Sequence, residues 1–400
     1  MKTLTLRTVP ALLLAIFSGA ASAAAFQLWE QNASGLSTAY AGSAAVADNA
    51  GTVFFNPAGM TQLPGIQLSA GVTGVGPSYK FKNDDSTGPL LGSGGNGGDA
   101  GSWAAVPNAY VSWQLTPNLF LGLGISAPFG LATEYEDENW VGRLQSIKSE
   151  IKTVNYNPSI AYRVNEKVSL GFGVNYQTID AELTSAGSRL EGDDSAWGWN
   201  AGALFTLSPA MRVGISYRSA TDYTLEGKAN ETLPIKADVK LPDTFILSVW
   251  QQVSDRWEAM GDLSYTRWNT LQSLDVINRN SGARLTSETF NYDNSWRFAW
   301  GAAYKSSDAL KLKFGIAYDR TPVSDADRSA RVPDNDRLWF SLGGQWNTGK
   351  TGKIDLGYAY LYVKDPSIEQ TKVVAGTSNT LRGSYDVSVH IVGLQYSTGF

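Results

Sequence analysis

From about residue 66 to the end of the chain, apolar side chains return at every second position. Val168, Leu170, Phe172, Val174 and Tyr176 are interleaved with Ser169, Gly171, Gly173, Asn175 and Gln177, and a period of two puts the two sets on opposite faces of a β-strand. The same alternation runs through 66–72, 119–125, 213–217, 296–304, 310–318 and 354–362. Weaker forms occupy 106–115, 151–162, 197–206, 241–250, 257–267, 337–346 and 387–400. Fourteen strands are thereby predicted, an even number, as a single-chain bacterial barrel requires. The fold class that fits is all-β: an antiparallel transmembrane barrel, whose lipid face is hidden from average hydropathy because it uses alternate residues only.

The connections alternate in length. Short turns are expected near 116–118, 165–166, 207–209, 253–255, 306–308 and 348–350. Long polar stretches are expected near 81–105, 129–149, 181–195, 219–240, 268–291, 320–336 and 363–386. Periplasmic turns of such barrels are short and outer loops long, so the long set belongs outside the cell. Gly92 to Gly101 reads as a flexible loop tip. Aromatics at strand ends, including Trp113, Trp257, Tyr265, Trp268, Tyr304 and Tyr362, are expected at the two bilayer interfaces. The last strand carries Val392, Leu394, Tyr396 and the terminal Phe400 on one parity, similar to the terminal signature by which outer-membrane barrels are recognised for assembly. A soluble β-sandwich would explain neither the loop-length alternation nor the start of the chain.

That start reads as an export signal over residues 1–23. Lys2 and Arg7 precede the short apolar run 11–17, and Ala21-Ser22-Ala23 offers a small-x-small cleavage site. The mature chain would begin at Ala24. It keeps all 37 acidic residues and loses two of the 32 basic ones, so it offers no electrostatic footprint for nucleic acid. With no cysteine, disulfides, thiolate metal sites and a lipid-modified N-terminal cysteine are excluded.

Residues 24–65 do not alternate. They are rich in Ala, Gly, Ser and Asn and suggest a plug that precedes the wall, giving a hatch at 24–65 and a barrel at 66–400. Here the sequence becomes specific. Phe26-Gln27-Leu28, Ala33-Ser34-Gly35-Leu36, Ala39-Tyr40-Ala41-Gly42, Ala47-Asp48 and Asn56-Pro57-Ala58 follow one another in order. Later come Phe129-Gly130-Leu131-Ala132-Thr133-Glu134, Trp197-Gly198-Trp199-Asn200-Ala201-Gly202, Tyr265-Thr266-Arg267-Trp268 and Val332-Pro333-Asp334 with Asp336-Arg337-Leu338-Trp339. This series, spread over nearly the whole mature chain, resembles the FadL-type long-chain fatty-acid outer-membrane transporters.

The resemblance implies a fourteen-stranded barrel stoppered by its hatch, with a kinked third strand that opens the wall toward the bilayer. Matched by motif, the kink falls at Ser126, Ala127, Pro128, Phe129 and Gly130, and Asn56, Pro57 and Ala58 form the hatch segment that plugs against it. Pro128 has no backbone donor and Gly130 tolerates unusual dihedrals, which suits a break in pairing; an ordinary strand end is the bland alternative. Ala24, Ala25 and Phe26 correspond to the hatch end that reaches into the ligand pocket, the other possibility being a frayed terminus. One departure concerns 181–195, which is too short and polar for the outer capture groove of well-known members; Leu271, Leu274, Val276 and Ile277 could supply replacement apolar surface or simply support their loop.

The implied function is passive uptake of long-chain fatty acids or similar hydrophobic compounds across the bacterial outer membrane. Uptake of aromatic hydrocarbons, as in other members, and a general porin remain alternatives. A carboxylate would suit an arginine fork; Arg297, Arg320 and Arg337 are candidates, most inward arginines being expected to pair with neighbouring acids. An enzyme is not expected: the one histidine, His390, has no acid beside it to complete a base-and-orienter pair, and the 92–101 tract lacks a phosphate-loop ending. No cofactor or metal is expected. The implied partners are the hydrophobic substrate, outer-membrane lipid and lipopolysaccharide, and the barrel-assembly machinery, with the chain working as a monomer.

Overall fold

Strands with one apolar and one small or polar face cannot leave an edge unpaired in hydrocarbon, so the sheet must curl until its first and last strands meet. The computed structural model, which describes residues 25–400, does this; the export signal expected over 1–23, and Ala24, lie outside the described residues. The wall strands are β1 (Ile66–Asn83), β2 (Ala104–Gln114), β3 in two pieces (Leu119–Ser126 and Gly130–Glu134), β4 (Lys148–Arg163), β5 (Val168–Ser185) and β6 (Ser188–Ser208). Next come β7 (Met211–Arg218, continued by Thr221–Ala229), β8 (Leu233–Leu241, continued by Thr244–Gln252) and β9 (Trp257–Thr266). The ring is completed by β10 (Ser295–Lys305), β11 (Leu310–Asp319), β12 (Arg337–Asn347), β13 (Lys353–Val363) and β14 (Thr377–Gly399). Each pairs antiparallel with its neighbours, and β14 closes on β1 from Gln67↔Gly399 to Asn83↔Gly383.

The face assignment follows the alternation. Leu170, Phe172 and Val174 of β5, Phe314 and Ile316 of β11, and Val392, Leu394 and Tyr396 of β14 point outward, while Ser169, Asn175 and Gln177 are buried on the lumen side. At the two ends of β9, Trp257 lies 4.8 Å from Tyr304 and Tyr265 lies 4.4 Å from Trp296, ring centre to ring centre. These pairs mark two aromatic girdles. His390 lies on the outward parity of β14, its Nδ1 2.9 Å from the Tyr358 hydroxyl.

Beyond the outer girdle the strands run further than the apolar pattern indicates. The stretch 181–195, expected as a polar loop, is a continuation of β5 and β6 paired up to Ser185↔Ser188. The stretch 219–240 is likewise mostly a hairpin, Leu233↔Ala229 to Leu241↔Thr221. Above the bilayer both faces meet water, so the ladder persists while the alternation that reveals it fades. The 92–101 tract, expected to be flexible, is pinned instead. Gly94 N donates to Asn139 O, Val141 N to Gly95 O and Glu136 N to Gly97 O. Gly95, Gly97 and Gly98 have φ between 72° and 81°, so glycine here serves the left-handed backbone of that contact.

The hatch crosses the lumen as two single-turn helices, α1 (Ala33–Leu36) and α2 (Thr52–Phe55), with a 3-10 segment, Pro57–Gln62. Asn32 and Asn56 cap α1 and the 3-10 segment by accepting from Gly35 N and Ala58 N. What lets the hatch in is a set of inward glycines. A Cβ on Gly171 would meet Ala58 N at 2.2 Å, and one on Gly202 would meet Asn56 Oδ1 at 2.1 Å. On Gly214 it would reach Ala44 O at 2.0 Å, and across the lumen Gly315 and Gly343 would strike Thr38 and Ser37 at 2.1 Å. The small parity of the strands is therefore cut to the shape of the hatch backbone.

Candidate functional site

The third strand breaks where expected. Its first piece pairs with β2 from Gln114↔Phe120 to Ala109↔Ile125 and with β4 up to Ser126↔Asn155. Its second piece pairs with β4 from Gly130↔Lys152 to Glu134↔Lys148, one residue out of register with the first. Ala127, Pro128 and Phe129 form the bulge between them. Among the described residues, 104–108 of β2 ladder only with β1, and 130–134 ladder only with β4. The wall thus has a gap above the kink, bounded on its outer side by the bonds from Glu134 N to Ala100 O and from Glu136 N to Gly97 O.

The backbone groups orphaned by the kink are taken up by the hatch. Leu28 N donates to Pro128 O and Gly130 N to Phe26 O, both at 2.8 Å, so residues 26–28 stand in as a strand partner. Gln31 Nε2 donates to Ala127 O at 2.8 Å. Thr153 Oγ1 donates to Phe129 O and accepts from Phe129 N. Unpaired backbone in hydrocarbon costs several kcal/mol per group, roughly; here every such group of 127–130 just named is matched.

The same hatch segment fills an apolar pocket. Phe26 is 2 % exposed and sits edge-on to Trp268 at 4.9 Å and Phe129 at 6.2 Å. Around them pack Leu131, Ile179, Tyr223, Leu225, Leu241, Leu271, Tyr292, Val323 and Val332. Ala25 N donates to Asp334 Oδ2 at 2.8 Å. Asp334 also accepts from Arg337 Nε at 2.9 Å and from the Thr321 hydroxyl at 2.6 Å. Trp268 was expected in a girdle; it is fully buried here, because β9 ends at Thr266 and a 3-10 turn, Trp268–Thr270, swings the chain over the lumen.

The hydrogen bonds of Asn56 and the tightest approach of Ala58 are to the hatch and to the strands beyond the kink. Asn56 Nδ2 donates to Ala44 O and Ala203 O, and Ala58 lies against Gly171, so the motif seats the hatch on β5 and β6. The hydrogen bonds between hatch and kink are made by residues 26–31.

Of the three arginines considered for a carboxylate, none stands open in the pocket. Arg297 lies between the rings of Trp29 and Trp339, at 4.6 and 5.0 Å, and donates to Ala39 O, which makes it a strut between wall and hatch. Arg337 is held by Asp334. Arg320 is exposed at the outer end of β11. Beside Arg297 lies Glu30 of the hatch, 1 % exposed, its two carboxyl oxygens without a hydrogen-bond partner. Burial pushes its carboxyl up to about 7, outweighing its own backbone N–H and the cations of Arg337 and Arg297.

Outside the pocket, Leu183, Leu190, Ile235, Ala237, Leu274 and Val276 line a small apolar groove between the outer hairpins, with Lys236 at its side. Leu274 and Val276 line this groove and are themselves buried in the cluster beneath it. Leu271 belongs to the inner pocket instead, and Ile277 is paired with Lys236. No group of residues suited to a metal ion occurs among the described residues.

With this geometry in hand, comparison with known proteins is informative. Residues 14–400 match the family model described as outer membrane protein transport protein (OMPP1/FadL/TodX). The chain is 33% identical to outer membrane protein P1 of Haemophilus influenzae over 89% of its own length and 90% of that protein. It is 30% identical to the long-chain fatty acid transport protein of Escherichia coli O6:H1, covering 90% of this chain and 92% of that one. Among solved structures it superposes on a Pseudomonas aeruginosa FadL homologue with a TM-score of 0.88 at 22% identity, over 94% of this chain and all of that one. On the Pseudomonas putida toluene transporter TodX the TM-score is 0.65 at 18% identity, over 88% and 94%. At these identities the two structures bear on the fold alone.

Proposed function

The chain belongs to the OMPP1/FadL/TodX family of outer-membrane transport proteins, and from that premise we propose that it carries long-chain fatty acids inward by ligand-gated lateral diffusion. A hydrophobic molecule lands in the outer apolar groove and moves to the inner pocket. There it takes the space of Phe26, and residues 26–28 leave the kink with it. The gap between β2 and β3 then opens sideways to the outer leaflet. No energy input is needed, since the direction follows whatever consumes the substrate inside the cell.

One observation carries this reading. The segment 26–28 at once fills the apolar pocket, through Phe26, and stands in as partner of the kinked strand. Whatever displaces the first must disturb the second. A general porin has no use for such coupling, and its lumen would not be filled by a hatch seated on inward glycines.

The substrate class is supported by relatives of both kinds, one named for long-chain fatty acids and one for toluene. Fatty acids are favoured because the sequence likeness to the fatty-acid branch extends over nine-tenths of the chain. Uptake of labelled oleate and of labelled toluene by a strain lacking its own transporter, with and without this protein, tests the proposal. Faster oleate accumulation supports it, toluene alone moves the assignment to aromatic hydrocarbons, and neither defeats transport altogether.

A further inference from the structure

On the hatch side of the Phe26 pocket lies a second internal cavity that the steps above do not use. While the hatch is docked it is narrow, about 30 Å³ between hatch and wall, and its apolar lining includes Leu28, Phe54, Phe55, Pro128, Phe129 and Ile246. Phe129 belongs both to this cavity and to the cluster around Phe26, and Pro128 is the middle of the kink. The cavity therefore adjoins both the first pocket and the kink. Into this apolar space one cation is set, Arg218 at the end of the first piece of β7.

Arg218 is on the inward parity with Gly214 and Ser216. Its guanidinium donates to Asn175 Oδ1 through Nη1 and to the hatch carbonyl of Phe54 through Nη2, and it lies 4.1 Å from the centre of the Phe54 ring. No carboxylate is among these partners. Several inward cations are answered by acids, Arg337 by Asp334, Lys313 by Asp355 at 2.9 Å and Arg331 by Glu288 at 3.6 Å, whereas Arg297, like Arg218, is held by rings and a carbonyl. A guanidinium has five N–H donors; two are engaged, which leaves three. A half-buried cation at membrane depth without a counter-charge is costly to keep unless it meets an anion in use.

We propose that Arg218 is a transit site for the carboxylate of a fatty acid, which it holds after the molecule leaves the Phe26 pocket and before it passes the gap. This deepens the proposed function and rests on it. The surroundings suit one guest in particular: apolar walls take the tail, while the remaining N–H groups bind a carboxylate with charge-assisted hydrogen bonds. A neutral hydrocarbon gains nothing from the charge. Arg218 is thus a specificity-determining residue for acids over neutral chains of equal length.

The test compares labelled oleate with labelled oleyl alcohol, which has the same chain and no carboxylate, in cells carrying wild type, Arg218→Met or Arg218→Lys. Arg218→Met is expected to lower oleate uptake about tenfold or more, the worth of hydrogen bonds to a charged group, while alcohol uptake holds. Arg218→Lys, which keeps the charge and loses the fork, is expected to fall between and shows the same preference if the Met variant does not assemble. Equal loss of both probes would mean that Arg218 only braces Phe54 and the hatch, and would overturn the proposal. So would unchanged oleate uptake in both variants. If wild type moves neither probe, the fault lies with the proposed function itself.

Discussion

The amide of Ala25, at the start of the described residues, donates to the carboxylate of Asp334 at 2.8 Å, joining residues 309 positions apart in sequence. That bond, with Arg337 and Thr321 gathered on the same carboxylate, anchors the end of the hatch beneath the outer loops. Removing one partner of a buried ion pair costs on the order of 3–5 kcal/mol because the other charge is left stranded. Asp334→Ala is therefore expected to free residues 25–28 while the barrel stays closed. A spin label at Gln27 should become mobile, and oleate uptake should be at least as fast as in wild type, since residues 26–28 no longer hold the gap shut. A label as immobile as in wild type would remove the anchor.

The glycines facing the hatch allow a sharper steric test. Gly171→Val would place its side chain on the backbone of Pro57 and Ala58, where even a Cβ finds 2.2–2.5 Å. Backbone cannot yield as a flexible side chain can, and overpacking of about 1–3 kcal/mol or more falls on the hatch because the wall is held by ladders on both sides. The variant should keep the heat-resistant mobility of a folded barrel in gel electrophoresis and show conductance steps in a planar bilayer that wild type lacks. A folded, silent variant would mean that the hatch can shift locally without opening the lumen.

Much of this architecture was legible in the chain. Lipid-facing strands declare themselves by alternation because hydrocarbon demands apolar residues on one parity, and 24–65 declares itself by lacking it. The hatch contacts could not be read, because which inward residue meets which depends on closure and hatch path. Gly171 and Gly202 look like any small residue in a strand until Ala58 and Asn56 lie on them. Trp268 looks like a girdle residue in the sequence, because one irregular turn decides whether an aromatic at a strand end faces lipid or lumen. Arg218 did carry a signal: it follows Gly214 and Ser216 on the inward parity, and an inward cation at membrane depth points to function. Arg320 and Arg337, by contrast, were singled out by their nearness to a loop.

Glu30 predicts how pH acts on hatch docking. It belongs to the hatch, and burial raises its carboxyl from 4.5 to about 7 when docked. Undocked and solvated it would return toward 4.5. Between those values the docked form holds the extra proton, so docking is strongest below about 4.5, weakens as pH rises through about 7, and then levels off. Amide exchange in residues 26–36, corrected for the intrinsic rate, should quicken over that interval. In Glu30→Gln the dependence should vanish. If exchange instead slows as pH rises, the sign is wrong and the charge of Glu30 favours docking.

Phe26 offers the test that separates binding from gating. Its ring occupies the pocket between Trp268 and Phe129, and its carbonyl accepts from Gly130 in the kink. A ligand entering the pocket of the wild type must first displace that ring, and displacement drags the backbone bond with it. Phe26→Ala leaves the backbone bond in place and hollows the pocket, a change that costs roughly 3–5 kcal/mol of packing when nothing refills the space. A fatty-acyl tail can refill it without moving residues 26–28. Oleate should then bind the variant more tightly than wild type, while its uptake falls, because occupancy no longer pulls on the kink. A variant that binds more tightly and also transports faster would show that the ring is a mere obstacle in the path, and that the gap in the wall opens by some means other than the withdrawal of the hatch end.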